Sequence, residues 1–481
     1  MKTNLRAWVV TRAAYRPTLA MALAGLQLAG CASFSPDGGF DNVAQWTRER
    51  TGQTPLYQRS AGQADAAAAR VAELLQQPLS ADSSVELALL NNRGLQASYA
   101  ALGMAESDLV RAGRLANPSL RLGRLAGPGV AEIDRGLVFD VLGLLTMPLA
   151  AQMAQGRFAQ AQLQAALDTV GLASEARQAF FAAVTAQQLV GYFSQVKDAA
   201  DASSDLARRM AAAGNFNKLA QLREQAFSAD ATAQLARARH QAVATRERLA
   251  RVLGLAAAQP AFALPDRLPD LPAEPTALAD AEQAAVDMRL DVRMARREAE
   301  STAQALGLAQ NTRFIEVLNA GYQTKSTTGA QRSTGYEIAF ELPLFDGGAA
   351  RLARAQALHQ QAVNRAAQVA TDARSEVRES YSAYRTAYDL ARHYRDEVVP
   401  LRKRISEENL LRYNGMLASV FDLLADARDQ IASVRAAVEA LRDHWVAHTQ
   451  LQAALTAQSP GATPALAPAT ATAATAAAAG H

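Results

Sequence analysis

One structural pattern occurs twice along this chain, and this internal repeat constrains the fold more than any other feature. Residues 82–257 and 278–457 each contain a helix, two short alternating strands, a long helix, a tip with Gly and Asn, and a returning helix. Equivalent positions lie 201 residues apart, as for Phe139 with Phe340 and Gly214 with Gly415. Such a repeat indicates one structural unit used twice. Four strands and helices this long cannot close a compact globule alone, so the pattern predicts a tube.

The composition favours packed helices over a large aromatic core. Aromatic residues make up 6% of the 481 residues, and charged residues make up 20%. Alanine dominates, and alanine-rich helices can approach closely. The formal charge is +3, and Lys2, Arg6, Arg12 and Arg16 belong to the N-terminal 30 residues, which leaves 3 − 4 = −1 for the remainder. A nearly neutral chain gives no electrostatic reason to bind nucleic acid.

The first 30 residues have the pattern of an export leader. They are basic as far as Arg16, apolar or small from about 19 to 28, and end in Leu28-Ala29-Gly30-Cys31. This predicts a signal peptide over 1–30, with an apolar run too short to cross a bilayer. The ending resembles the lipobox of bacterial lipoproteins, which implies that Cys31 is acylated. The absence of Asp at the next two positions favours the outer membrane by the same resemblance. The alternative is that Cys31 is only a small residue in an ordinary leader.

Four segments alternate between apolar and polar residues, as strands do. The sequence predicts strands at 118–125, 136–143, 313–323 and 335–342, with polar loops at 126–135 and 324–334. The two-residue period suits a strand with lipid on one face and water on the other, and the lengths are near those that span a bilayer. Asp140, Glu337 and Glu341 are then expected to face a barrel lumen. A soluble hairpin with one hydrated face remains the alternative.

Long helices follow each pair of strands. No proline occurs from 149 to 259, so one helix is predicted over 149–213, about 100 Å long at 1.5 Å per residue. A helix this long must pack along its whole length. The second long helix, 347–412, contains Pro400, which should bend it. The remaining predictions are returning helices at 217–253 and 418–457, an extended segment at 31–81, a Pro-rich linker at 258–277 and a disordered tail at 458–481.

Several fragments, in this order, resemble the TolC family of outer membrane efflux proteins over roughly 82–457. They are Ala88-Leu89-Leu90-Asn91-Asn92, Ala112-Gly113-Arg114-Leu115-Ala116-Asn117-Pro118, Arg251-Val252-Leu253-Gly254-Leu255, Glu341-Leu342-Pro343-Leu344-Phe345-Asp346-Gly347-Gly348, and Tyr413-Asn414-Gly415 followed by Phe421-Asp422-Leu423-Leu424 and Ala427-Arg428. The resemblance implies a mostly α fold. Three chains would form an α-helical barrel from long helical hairpins and a 12-stranded transmembrane β-barrel from four strands each. It implies no cofactor.

The resemblance also implies partners and a pore constriction. The tips, at Gly214, Asn215, Asn414 and Gly415, would meet a periplasmic adaptor protein coupled to an inner-membrane pump. The plainer interpretation is helix termination, since Gly and Asn accept the left-handed backbone beyond a helix end, and both can hold. Asp422 falls at the first acidic position of the family's periplasmic aperture. At the next position stands Ala425, with Asp426 one residue beyond. Solvated charges on a helix face are the alternative.

No catalytic or metal-binding motif stands out. His444 and His448 lie four residues apart on a predicted helix, a spacing that can hold a metal, but further ligands are missing and packed or solvated histidines are favoured. Phosphate loops, nucleophile elbows and cysteine–histidine clusters are absent from the sequence. The sequence therefore predicts a passive outer-membrane exit channel of a tripartite efflux or type I secretion system, and not an enzyme. The alternative is a soluble periplasmic coiled-coil adaptor or scaffold, and the cargo stays open.

Overall fold

The computed structural model describes residues 33–255, 262–277, 281–315, 317–341 and 343–458. The predicted leader, Cys31 and the tail from residue 459 lie outside these ranges. Within them, no helix combines the length and the apolar character needed to cross a bilayer.

The order of elements repeats as the sequence predicts. The first half consists of α1 (Phe40–Thr51), α2 (Ala61–Leu74), α3 (Ala81–Asn91), α4 (Arg93–Ala112), β1 (Ser119–Gly127), β2 (Val130–Asp140), α5 (Val141–Ala212) and α6 (Lys218–Val252). The second half consists of α7 (Ala281–Met288), α8 (Leu290–Asn311), β3 (Val317–Thr327), β4 (Ser333–Glu341), α9 (Ala349–His393), a π-helical turn (Tyr394–Val398), α10 (Val399–Asn414) and α11 (Val420–Thr456).

The segment 31–81 is not extended as predicted, because α1 and α2 occupy much of it. Ser60 begins α2 with a capping box: its hydroxyl accepts from the Gln63 amide, and the Gln63 side chain accepts from the Ser60 amide. Ser80 and Ser83 form the same arrangement before α3. The cap of α3 is therefore Ser80, and Asp82 lies within the first turn of the helix. Satisfying the free amides at a helix start stabilises these short helices.

The four strands form one antiparallel sheet in the order β1-β2-β3-β4. The strand positions differ from the prediction, because the segments expected to be loops are largely paired. β2 already begins at Val130, and only residues 128 and 129 separate it from β1; β3 continues to Thr327. The hydrogen-bonded ladder extends strand structure through polar residues that carry no local strand signal. The central pair, β2 with β3, joins the two halves of the chain.

The first long helix begins earlier than predicted, at Val141, and continues through Pro148 to Ala212. Asp140 ends β2 and caps this helix, because its carboxylate accepts a 2.7 Å hydrogen bond from the Gly143 amide. Proline removes a single backbone hydrogen bond here, in the third turn. A helix of 72 residues sustains that loss.

Pro400 produces a change of helix type. The residues just before it, Tyr394–Val398, form a π-helical turn, in which the Val399 amide donates to the Tyr394 carbonyl five residues earlier. Proline cannot donate to the carbonyl four residues before it, so widening the preceding turn accommodates the missing bond. The bend predicted at Pro400 is thus a π-helical insertion between α9 and α10.

The described chain divides into two compact units, and each draws segments from both repeats. The first consists of the described parts of 1–42, 99–163 and 294–367 and contains the sheet. The second consists of those of 43–98, 164–293 and 368–481. In the second unit, Val196 and Ala200 pack on Ala231, and Tyr384 packs on Ala447 and Leu451.

Candidate functional site

One face of the sheet carries most of its charged residues. The strand register places Asp140, Glu337 and Glu341 on the same face, as their alternation predicted. This face carries four other charged residues that the sequence analysis did not identify. Three of them lie in segments predicted to be loops, namely Glu132, Asp134 and Lys325. The fourth, Arg121, lies within β1. Arg121 Nη1 lies 3.4 Å from Glu337 Oε2, and Lys325 pairs with Glu132. Five carboxylates against two cations make this face acidic.

The opposite face of the sheet is apolar towards the end where the helices attach. Three adjacent rows of paired residues contribute large apolar side chains, which are Leu318 and Phe340, Phe139 and Ile338, and Leu120, Leu137, Tyr322 and Tyr336. Apart from Leu318, which is partly buried, these side chains are exposed; Tyr336, for example, is 83% exposed. A soluble monomer rarely presents so continuous an apolar surface. Farther from the helices the same face becomes polar, at Arg124 and Arg135.

The tip between α5 and α6 begins with a left-handed turn that terminates α5. Gly214 has φ +76°, its amide donates to the Ala211 carbonyl at 3.1 Å, and the Asn215 amide donates to the Met210 carbonyl at 2.9 Å. These bonds satisfy the last carbonyls of α5 in a Schellman motif. Asn217 then caps α6 by accepting from the Ala220 amide. Helix termination fully accounts for Gly214.

In the second tip, which follows α10, the left-handed residue lies one position later than the repeat predicts. Gly415 corresponds to Gly214 in sequence, but its φ is −82°. The left-handed residue is Met416, with φ +60°, and the Leu417 amide donates to the Arg412 carbonyl at 2.8 Å. Asn414 is the last residue of α10. Met416 and Leu417 are almost fully exposed, so this tip presents apolar side chains that the sequence interpretation did not identify.

The two acids near the second tip have different surroundings. Asp422 lies in the first turn of α11 and forms a capping box with Ser419. Hydrogen bonds from the amide and hydroxyl of Ser419 lower the pKa of Asp422. Asp426 is only 6% exposed, and neither of its carboxylate oxygens has a hydrogen-bond partner in the described part of the chain. The two acids therefore do not form one continuous exposed surface on a single chain.

Two contacts tie α11 to its neighbours close to this tip. Arg402 Nη1 of α10 lies 3.0 Å from Asp429 Oδ2. The guanidinium of Arg428 lies over the ring of Phe227 in α6, 4.8 Å from its centre.

The histidine pair lies in an aromatic cluster. His444 is 1% exposed, contacts the rings of Tyr384 and Tyr388, and has no partner at either ring nitrogen among the described residues. Burial lowers its pKa to about 4, and the charge of His448 adds to this shift. His448 Nε2 lies 3.0 Å from Gln452 Nε2. Packing accounts for this pair, and within the described ranges no three His, Cys, Asp or Glu residues are grouped to hold a metal.

The architecture matches solved outer-membrane channels. The outer-membrane channel OprN is 20% identical with a TM-score of 0.67, and the match covers 80% of this chain and 91% of that chain. The Campylobacter jejuni CmeC outer membrane channel is 14% identical with a TM-score of 0.65, covering 78% and 85%. The open state of the Neisseria gonorrhoeae MtrE outer membrane channel is 16% identical with a TM-score of 0.65, covering 78% and 88%. No family model and no curated protein matches the chain.

This chain has the fold of these outer-membrane channels. The predicted fold class, mostly α with long helical hairpins and four strands per chain, is thereby confirmed. At 14–20% identity the likeness concerns the fold. The roles of individual residues depend on the contacts of this chain.

Proposed function

We propose that this chain is the outer-membrane channel subunit of a tripartite efflux or type I secretion system, a passive conduit from the periplasm to the exterior. The observation that carries the proposal is the two-sided sheet. One face exposes contiguous apolar side chains, and the other carries five carboxylates and two cations. Long helices follow the ends of β2 and β4. Lipid on one side and water on the other would match these two faces.

The free edges of the sheet support a homotrimer. β1 and β4 are the outer strands of the four-stranded sheet, and unpaired edges cannot face hydrocarbon, where no water satisfies their backbone groups. Three copies would close them as a 12-stranded barrel. The test is extraction from outer membranes followed by electrophoresis with and without heating. We expect a heat-sensitive trimer that requires detergent. A water-soluble monomer would overturn the proposal and favour the adaptor or scaffold alternative.

A conducting pore is the second requirement. Purified trimers in planar bilayers should form channels that prefer cations, because acids outnumber bases on the polar sheet face. Exchanging Glu337 and Glu341 for Gln should reduce the preference, whereas Asp134→Asn, farther along the same face, tests whether the effect is local. The Asp422→Ala variant tests whether Asp422 lines the periplasmic aperture. If its gating and cation block are unchanged, Asp422 does not contribute to the aperture.

We infer that a periplasmic adaptor, coupled to an inner-membrane pump, meets the tips at Gly214, Asn215, Asn414 and Gly415. Adaptor contact at the second tip can be tested by a substitution at Gly415. Gly415 has ordinary backbone angles, and a Cβ there meets its neighbours at 3.5 Å or more, so Gly415→Trp adds bulk without backbone strain. We expect trimers that assemble but lose pump-dependent export. Normal export by this variant argues against adaptor contact at the second tip.

The anchor proposal concerns Cys31, outside the described residues. Its lipobox-like setting supports acylation and outer-membrane placement, and more than one acyl chain would anchor the chain stably. Labelling with a fatty-acid analogue should mark the native chain and leave Cys31→Ala unlabelled. Equal labelling of both rejects the anchor.

A further inference from the structure

A cavity lies beside the first described residues of the chain. It has a volume of about 620 Å³, belongs to the sheet-containing unit and is partly open to solvent. Phe34, the end of α4, the residues that follow α4 and the start of α5 line it. Its apolar lining includes Val110, Leu115, Met147 and Ala150. The polar residues Arg111, Asn117 and Thr146 also line it.

The chain just after Cys31 is held in place next to this cavity. The Ser35 amide donates a 2.6 Å hydrogen bond to Glu106 Oε1, and the Ser35 hydroxyl donates to the same atom. Glu106 is 5% exposed. Four residues later, the Gly39 carbonyl accepts a 2.7 Å bond from Gln162 Nε2. Phe34 therefore lines the cavity at the end of a firmly anchored segment.

Cys31 is close enough to deliver a lipid to this place. Three residue steps separate it from Phe34, which extended chain covers in about 10 Å. One leaflet of a bilayer core is about 15 Å thick, which is the span of one acyl chain. An acyl chain on Cys31 can therefore reach the cavity whatever path residues 31 and 32 take from there.

We propose that the cavity binds the lipid group carried by Cys31, with one acyl chain against Phe34, Met147 and Ala150. This inference rests on the proposed lipidation. The mixed lining suits such a ligand: ester and amide carbonyls accept hydrogen bonds, and Arg and Asn side chains donate them. The lipid would then be part of the packed structure at the junction of α4 and α5, and not only a tether.

Cysteine labelling tests this directly, since Cys31 is the only cysteine in the chain and acylation blocks its sulfur. Met147→Cys introduces one thiol at the cavity wall. It is compared in isolated outer membranes between the acylated chain and a chain with an ordinary cleavable leader and Cys31→Ser. A water-soluble maleimide should label Met147→Cys several-fold more slowly in the acylated chain. Ala101→Cys, at an exposed position of α4, is the matched control and should label equally in both.

Each other outcome contradicts the inference. Equal labelling of Met147→Cys means that the lipid lies elsewhere, and slow labelling in both chains means that another lipid fills the cavity. The mass of the mature chain separates this inference from the proposed channel function. If the mature chain carries no acyl group on Cys31, the cavity cannot bind one and the inference fails. The channel function is tested independently by the conductance measurement.

A second measurement uses the unaltered chain, in case the leader-exchanged variant does not fold. Cells supplied with a diazirine-bearing fatty acid should yield, after irradiation, adducts on peptides covering 107–117 or 143–150. Adducts confined to other peptides overturn the assignment.

Discussion

The side-chain amide of Asn91 donates a hydrogen bond of 2.7 Å to the carbonyl oxygen of Gly254. Asn92 similarly donates to the Val252 carbonyl. The end of α3 thus satisfies carbonyls at the end of α6, 160 or more residues later in the sequence. The fragments around Asn91 and around Gly254, which both carried the family resemblance, therefore contact each other in the fold.

Gly254→Ala should therefore be unusually destabilising. Gly254 has φ +70°, and a Cβ there would lie 2.6 Å from the Asn91 carbonyl oxygen. Gly214→Ala is the matched control, with φ +76° and no atom within 4 Å of its Cβ. The left-handed conformation alone costs about 1–2 kcal/mol, so the control reports that cost and the excess at Gly254 reports the close approach. Equal melting temperatures for the two variants would contradict this.

Met416→Gly should tighten the second tip. A non-glycine residue at φ +60° is strained, and glycine relieves the strain, although its greater freedom in the unfolded chain offsets about 0.5–1 kcal/mol. Amide hydrogen exchange at Leu417, which donates to Arg412, should slow relative to Met416→Ala. Faster exchange in the glycine variant would show that Met416 is held by side-chain contacts.

Arg289→Met should cost about 3–5 kcal/mol of unfolding free energy, the range for breaking a buried ion pair. Arg289 is 1% exposed and donates to Asp291, to Glu376 and to the Ala454 carbonyl at the end of α11. Burial opposes its charge, but the hydrogen bonds that it donates to Asp291 and Glu376 prevail and raise the pKa of Arg289. The exposed pair of Arg297 with Glu300 supplies the control, Arg297→Met, for which little change in denaturant midpoint is expected.

His444 should make the protein sensitive to acid. Its folded pKa of about 4 lies below the ordinary value of 6.5, so the unfolded chain binds the proton more tightly. Stability is complete above pH 6.5 and falls as the pH drops towards 4, by up to about 3 kcal/mol. His444→Phe should flatten this part of the stability profile, and His240→Gln, at an exposed site, should leave it unchanged. A profile that His444→Phe does not alter would assign the acid sensitivity to other groups.

The two acids near the second tip should respond oppositely to amidation. Asp426→Asn removes a buried charge without a hydrogen-bond partner in the described chain, so the melting temperature should rise. Asp422→Asn weakens the capping box with Ser419, so the melting temperature of this variant should fall. A lower melting temperature for Asp426→Asn would indicate a stabilising partner, such as a bound cation.

Local patterns in the sequence were sufficient for the order of elements in the two repeats, the alternating strand 335–342 and the glycine turn at Gly214. Each depends on residues within a few positions, through side-chain period or backbone freedom. Tertiary structure decided the rest. Strand pairing converted the predicted loops into strands, and it brought Arg121 against Glu337 on one face. The left-handed position fell on Met416, although Gly415 preceded it, because the hydrogen bonds that close α10 set the register. The burial of Asp426 and the contact of Asn91 with Gly254 depend on packing between segments distant in sequence, which no local period encodes.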